Sequence, residues 1–276
     1  MPHNTQFMKI LAIPDVHGRT FWKDAVEKHA SEVNKIVFLG DYTDPYDFED
    51  VDYGKVPDNL REIISFAKQN KRKVKLLLGN HDLPYFNDYY REITYPCRYM
   101  RDLADELHTL FDENRKMFKI AAMYDNILFT HAGVLYTWLE CCADFYKIDF
   151  NDGKKLVAVL NRMLNSKKGI TLLSWIPWRR GGDAPFGSVV WSDVREHICE
   201  VTNFKAYLNN PSEFKDYHPN RIPFKQVFGH TLQAFRKRMD SNEIIYGEPI
   251  EMYDFKMVDN TKAHIIDVEN FTSVEA

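Results

Sequence analysis

The sequence predicts an α/β fold whose parallel strands end in polar, metal-ligating side chains. Three stretches share one design. Lys9-Ile10-Leu11-Ala12-Ile13-Pro14 leads into Asp15-Val16-His17-Gly18, Lys35-Ile36-Val37-Phe38-Leu39 into Gly40-Asp41, and Val74-Lys75-Leu76-Leu77-Leu78 into Gly79-Asn80-His81-Asp82. An apolar run that stops at a polar group is the pattern of a strand buried on both faces that delivers a functional side chain to its edge. Helical patterns separate the runs, so the order is β-α-β-α-β, which implies parallel pairing and right-handed crossovers. Ligands of open α/β sheets bind at the carboxyl ends of the strands, so all three signatures should converge on one face.

Taken in order, Thr20 is placed to cap a helix through about Ala30, with Phe21, Trp22, Ala25 and Val26 inward. The loop from Tyr42 to Asp50, which includes Phe48, is rich in carboxylates and reads as solvated, except that Asp44 lies three residues past Asp41. Asn59 to Gln69 reads as the second helix, and Arg98 to Arg115 as an amphipathic one with Met100, Leu103, Leu107, Leu110 and Phe111 in a stripe. Met117 to Met123 and Ile127 to Thr130 read as strands joined by a tight turn at Asp125-Asn126, the second ending in His131-Ala132-Gly133. Val134 to about Leu164 reads as helical and aromatic and Trp175 to Gly182 as loop, within a single domain spanning 1–276; an ordinary packing layer is the first reading of this region and a cap inserted at about 134–180 the second. Val189 to Asp193 reads as a short strand, and Phe224 to Phe228 as a fifth delivery strand ending in Gly229-His230-Thr231. Glu243 to Tyr246, Met252 to Val258 and Ala263 to Val268 suggest meander strands of a second sheet.

Composition narrows the classes. With 276 residues the chain can bury a full core, and no apolar run approaches the length of a spanning helix. A net charge of −4 offers no general attraction to nucleic acid or anionic membrane. Met1-Pro2-His3-Asn4-Thr5-Gln6 lacks the basic-then-apolar layout of a signal peptide, so the expected location is cytoplasmic. Cys97, Cys141, Cys142 and Cys199 have no CxxC spacing and read as reduced, mostly structural thiols.

Asp15, His17, Asp41, Asn80, His131 and His230 form a mixed oxygen and nitrogen donor set without thiolate. Such a set suits Mn²⁺, Fe or Zn²⁺. Asp41, central among the strand ends, is expected to bridge two ions. Two metals about 3.5–4 Å apart can hold a hydroxide and clamp a phosphoryl group for in-line attack. Singly, each feature is weak: Asn80-His81-Asp82 could be a turn, and His131 and His230 could be satisfied, partly buried histidines. Their joint appearance at five strand ends argues against chance.

These blocks resemble the calcineurin-like metallophosphoesterases and, within them, the phosphoprotein phosphatase branch. The matching residues are Asp15-Val16-His17-Gly18, Gly40-Asp41-Tyr42-Thr43-Asp44, Gly79-Asn80-His81-Asp82, His131-Ala132-Gly133 and Gly229-His230. Trp191-Ser192-Asp193 is similar to a further Ser/Thr phosphatase block. The resemblance implies a four-layer α-β-β-α sandwich of two mixed sheets flanked by helices. It implies one metal on Asp15, His17 and Asp41, and another on Asp41, Asn80, His131 and His230. It also implies that His81 protonates the leaving oxygen with the aid of Asp44. Two departures stand out: the branch's Asp-Arg-Gly reads Asp44-Pro45-Tyr46, losing a phosphate-gripping arginine, and Asp82 stands where the branch usually has Glu. Arg19, Arg179, Arg180 and Arg195 are the candidates for binding the substrate's phosphate, and of these Arg179-Arg180 or Arg195 could supply the missing charge from another loop.

The expected function is a dinuclear phosphoesterase that hydrolyses phosphomonoesters, first of all phosphoserine or phosphothreonine in proteins, with a metal-bridging hydroxide as nucleophile. Its alternatives are a phosphodiesterase or dinucleoside polyphosphate hydrolase, and a metal-bound scaffold without turnover. A scaffold needs no general acid, so His81 and Asp44 favour an enzyme.

Overall fold

A computed structural model describes residues 8–47, 49–94, 98–214, 219–231, 236–237, 244–245, 250–251, 255–258 and 261–276. Phe48 and Cys97 lie outside them, as do parts of the expected strands at Glu243 to Tyr246 and Met252 to Val258. The chain runs β1 (Lys9–Ile13), α1 (Phe21–His29), β2 (Lys35–Phe38), α2 (Val56–Gln69), β3 (Val74–Leu77), α3 (Leu83–Phe86), α4 (Asp88–Thr94) and α5 (Ala104–Glu113). It continues with β4 (Phe118–Lys119), β5 (Ala121–Tyr124), β6 (Ile127–Thr130), α6 (Tyr136–Ala143), α7 (Gly153–Met163), α8 (Lys167–Leu173) and α9 (Val194–Asn209). The last elements are β7 (Lys225–Phe228), β8 (Arg236–Lys237), β9 (Ile244–Ile245), β10 (Ile250–Glu251), β11 (Phe255–Met257), β12 (His264–Asp267) and β13 (Thr272–Glu275).

Two mixed sheets lie face to face. The first has the order β13-β12-β1-β2-β3-β4 and the second β10-β11-β7-β6-β5, while β8 and β9 pair separately. β1, β2 and β3 are parallel neighbours, as the crossovers require. Their apolar residues alternate between two cores, which is why the runs are continuous. Ile10, Ala12, Val37, Leu39 and Leu77 pack with Phe129 and Val227 of the second sheet. Leu11, Ile13, Ile36, Phe38 and Leu76 face outward and pack with Trp22 and Ala25 of α1 and with Leu60, Ile63, Ile64 and Ala67 of α2. The same cluster takes in Trp138 of α6, Leu160 of α7 and Leu173 of α8. On the far side α9 sets Val194 and Val201 against Phe228, Phe255 and Met257.

The structure corrects several expectations. Thr20 precedes α1 but makes no side-chain cap. α2 begins at Val56 because Pro57 sits in its first turn, where a missing N–H costs nothing. The helix expected over Arg98 to Arg115 is shorter, since Arg98 has φ +56° and the α-helix proper begins at Ala104. The strand expected from Met117 to Met123 is two strands, for the chain leaves the first sheet after β4 and enters the second at β5. Asn161 of α7 makes this switch possible: its Oδ1 accepts from Ile120 N and Ala121 N at 2.7 and 3.0 Å, and its Nδ2 donates to Ala121 O at 3.0 Å. Val189 to Asp193 is a buried turn, with Trp191 N and Ser192 N both donating back to Ser188 O. Of the tail, β11 joins the second sheet, whereas β12 returns to the first beside β1.

No helix of the described residues is long and apolar enough to cross a membrane. Among the described cysteines Cys142 is buried, Cys199 is exposed, and none is bridged.

Candidate metal centre

Strain marks the site before any side chain is considered. Among the described residues seven non-glycine positions have positive φ, and five of them, His17, Asp41, Asp44, Arg98 and His230, lie at the strand ends or in contact with them. Such backbone persists where the surroundings over-determine it, and it clusters at functional sites. Glycine serves a different need. Gly40 has φ +110°, and a Cβ there would lie 2.4 Å from Gly79 N; a Cβ on Gly79 would lie 2.1 Å from Asp41 Oδ1. The two loops meet backbone to backbone, so neither position accepts a side chain.

Asp82 fastens that meeting. Its carboxylate accepts from Asp41 N and Tyr42 N at 2.7 Å each and from Gly79 N at 2.9 Å. Thr43 Oγ1 adds a bond to His81 O at 3.0 Å. The shorter acid at this position thus acts as a clamp between the β2 and β3 loops.

Asp15, His17, Asp41, Asn80, His131 and His230 come together and are all buried. Asp15, His17 and Asp41 form one group of converging donor atoms, and Asp41, His131 and His230 another. Asp41 belongs to both, with Oδ2 at 3.6 Å from His17 Nε2 and 3.5 Å from His131 Nε2. Backbone carbonyls choose the tautomers. His17 Nδ1 donates to Thr43 O at 2.7 Å and His131 Nδ1 to Leu39 O at 2.9 Å, which leaves each Nε2 lone pair aimed inward. His131 Nε2 then faces Asn80 Oδ1 and His230 Nδ1, both at 3.0 Å, and His230 Nε2 is buried with no partner.

The electrostatics point the same way. Burial pushes Asp41 up to about 7, and burial also lowers His17, His131 and His230 below the ordinary imidazole range. Lone pairs and carboxylate oxygens that face one another in a dry site are satisfied by cations, so this donor set fits divalent metal.

Beside the centre, His81 Nδ1 lies 2.9 Å from Asp44 Oδ2, and Tyr85 donates its hydroxyl to Asp44 Oδ1. Burial pushes Asp44 up to about 8 against the Tyr85 bond, and lowers His81 to about 4 against the pull of Asp41.

The arginines expected near substrate are differently employed. Arg19 donates to the carbonyls of Asp15 and Val16 and pairs with Glu49 at 3.0 Å. Arg179 is exposed, its guanidinium over the Trp178 ring, and Arg195 is spent bidentately on Asp193 at 2.7 and 2.9 Å. Arg180 reaches Thr231 Oγ1 at 2.9 Å and Asp193 Oδ2 at 3.1 Å, close enough to help lower His230. The arginine that touches His81 is Arg98, whose Nη2 donates to His81 Nε2 at 2.7 Å. Sequence reasoning missed it by reading it as the first residue of a helix. Its one signal was the lost arginine at Pro45, and nothing in a single sequence joins positions 45 and 98.

A model of the calcineurin-like phosphoesterases matches residues 8–233. Nothing among curated protein sequences matches. A solved cold-active protein-tyrosine phosphatase of a psychrophilic Shewanella species is similar over 98% of this chain and 80% of its own, at 16% identity and a TM-score of 0.53. A second structure of a cold-active protein tyrosine phosphatase is similar over 98% and 78%, at 17% identity and a TM-score of 0.55. Likeness at such identity is a likeness of fold.

Proposed function

The chain belongs to the calcineurin-like phosphoesterases, and from that premise we propose that it is a dinuclear, metal-dependent phosphatase of phosphomonoesters, phosphorylated protein side chains foremost, serine and threonine included. The observation that carries this reading is the position of Asp41 Oδ2 between the bare Nε2 atoms of His17 and His131. Asp15, His17 and Asp41 would hold one ion; Asp41, Asn80, His131 and His230 would hold the other. When bound, a divalent pair, with Mn²⁺ the first to test, supplies Lewis-acid polarisation of the phosphoryl group and a nucleophilic water at neutral pH.

The chain's own part begins with the proton. His81 and Asp44 face each other across a hydrogen bond of 2.9 Å, and burial lowers the imidazole to about 4 and raises the carboxyl group to about 8. Nδ1 stays on Asp44, so Nε2, to which Arg98 Nη2 donates in this structure, is the ring atom left to serve the leaving oxygen. Tyr85 fixes the carboxylate from behind.

A second reading, phosphodiester hydrolysis, is favoured by Pro45, because a singly charged diester needs less arginine than a dianion. One panel separates the two. Chelation should abolish turnover and Mn²⁺ restore it, with kcat/KM higher on phosphopeptides and aryl monoesters than on bis-aryl diesters. The monoester reading fails if diesters exceed every monoester tried. His81→Asn should keep its metal and lose roughly 10²–10⁴-fold in rate, less on substrates with good leaving groups. An equal loss on aryl and alkyl phosphates would remove His81 from the role of acid.

A further inference from the structure

Arg98 occupies a place that ordinary packing does not explain. Its backbone is left-handed at φ +56°, and its guanidinium lies flat over the Tyr46 ring, 3.6 Å from the centroid. Nη1 donates to Asp44 O and Nη2 to His81 Nε2, each at 2.7 Å. Among the described residues it forms no ion pair. A guanidinium has five N–H donors in a planar fork, so a cation with unspent donors stands at the very imidazole assigned to the leaving oxygen. Pro45 stands where the family branch has an arginine, and the next residue, Tyr46, supplies the aromatic platform on which Arg98 rests.

Behind Arg98 opens a cavity of about 670 Å³, walled by Tyr53, Gly54, Tyr99, Met100 and Leu103. That volume suits a small-molecule moiety. Arg98 lines this cavity and also touches His81, so it links the cavity to the centre, although no proposed metal ligand lines the cavity itself. Its wall is firm: Tyr99 stacks on Tyr85 with centroids 4.6 Å apart and planes at 19°, and Tyr85 also holds Asp44. Its charges cancel. Apart from Arg98 it carries one cation, Arg101, against two carboxylates, Asp47 and Asp102. A nucleotide or polyphosphate tail would need an excess of cations there, and a serine side chain, too short to fill the space, would draw peptide N–H and C=O groups against Met100 and Leu103. A flat, uncharged aromatic ring meets neither objection.

We propose that Arg98 replaces the missing arginine as the grip on the phosphoryl oxygens, and that the adjoining cavity receives an aryl leaving group, so that aromatic phosphomonoesters, a phosphorylated tyrosine side chain among them, are the favoured substrates. The assignment rests on the reading of the centre as a phosphomonoesterase.

The test pairs phosphotyrosine and phosphoserine peptides of otherwise identical sequence on the Mn²⁺-loaded enzyme, with inorganic phosphate as a probe of the grip alone. A phenol leaves more readily than an alcohol, so the deciding quantity is the change in the tyrosine-to-serine ratio of kcat/KM when the cavity is filled. Gly54→Leu, where a Cβ meets only Asp52 Oδ1 at 3.3 Å, and Leu103→Trp fill it from two sides. Each should lower the ratio by about tenfold and leave phosphate binding, measured by calorimetry, as in the wild type. Arg98→Ala should weaken phosphate binding by about tenfold and lower kcat/KM on both peptides, and Arg98→Lys should not restore the fork. The assignment is overturned by an unchanged ratio in a folded filling variant, by undiminished phosphate binding in Arg98→Ala, or by a wild type that prefers phosphoserine. A wild type that hydrolyses no monoester while turning over diesters overturns the monoesterase reading itself, a separate result.

Discussion

The two sheets reach the centre by different means. On the first, the loops after β1, β2 and β3 bring Asp15, His17, Asp41 and Asn80, and they are locked close to those residues. Asp82 accepts three backbone N–H groups, and Gly40 packs on Gly79. On the second, His131 and His230 follow β6 and β7, and their loops are braced from far along the chain. Ser192 Oγ donates to Ala132 O at 2.7 Å with His197 Nε2 beside it at 3.1 Å, and Arg180 reaches Thr231. One half is therefore a local device, and the other depends on the turn at 188–191 and on α9. Damage to the first half should spread through the whole centre, and damage to the second should remain on its own side.

The sharpest test is the residue the halves share. On the proposed ligand assignment Asp41→Asn removes a donor from both ions, so metal content should fall toward background and turnover with it. His17→Ala and His230→Ala, each confined to one ion, should each lose about half of the metal. Metal analysis by mass spectrometry decides the matter, and retention of full metal by Asp41→Asn would break the idea of a shared ligand.

Next come the braces. Asp82→Ala leaves the N–H groups of Gly79, Asp41 and Tyr42 buried without an acceptor, a cost of roughly 3 kcal/mol or more. Ser192→Ala removes one donor from a carbonyl that His197 still contacts, and should cost about 1 kcal/mol. Urea unfolding measures both. If the two variants were equally unstable, the contrast between a local lock and a distributed brace would fail.

This contrast also explains what the sequence disclosed. β1, β2 and β3 were legible because each run is apolar on both faces, and their ligand candidates lie within four residues of the last strand residue. His131 and His230 were legible as strand-end histidines, but the reason they hold their positions was not. Trp191-Ser192-Asp193 read as a strand, whereas Ser192 and Asp193 are the brace and the N-cap of α9. Arg98 was hidden for the same reason: its partners, Asp44, Tyr46 and His81, are brought to it by the fold and not by any spacing. The break at Ile120 was invisible because its support, Asn161, sits forty-one residues later.

The last expected effect, visible only as a dependence on pH, lies behind the second half. Glu200 of α9 accepts from Tyr136 N at 2.8 Å and from Thr137 N at 3.4 Å, so a carboxylate from one helix caps the first turn of α6. Burial pushes it up from 4.5 to about 7, although those two N–H groups pull it down. A carboxyl group with a raised folded-state pKa binds its proton more tightly in the folded chain. Its contribution is therefore complete below about 4.5 and is lost as pH rises through about 7. Gln at this position keeps an acceptor for the α6 N–H groups and has no proton to lose. Other buried groups, Asp41 and Asp44 among them, titrate in both proteins and cancel in the difference. The stability of wild type minus Glu200→Gln, from urea unfolding in steps between about pH 4.5 and pH 8, should thus decline with rising pH and level off above about 7. A difference independent of pH would mean that the α6 cap keeps its charge throughout, and would leave the second half braced by hydrogen bonds alone.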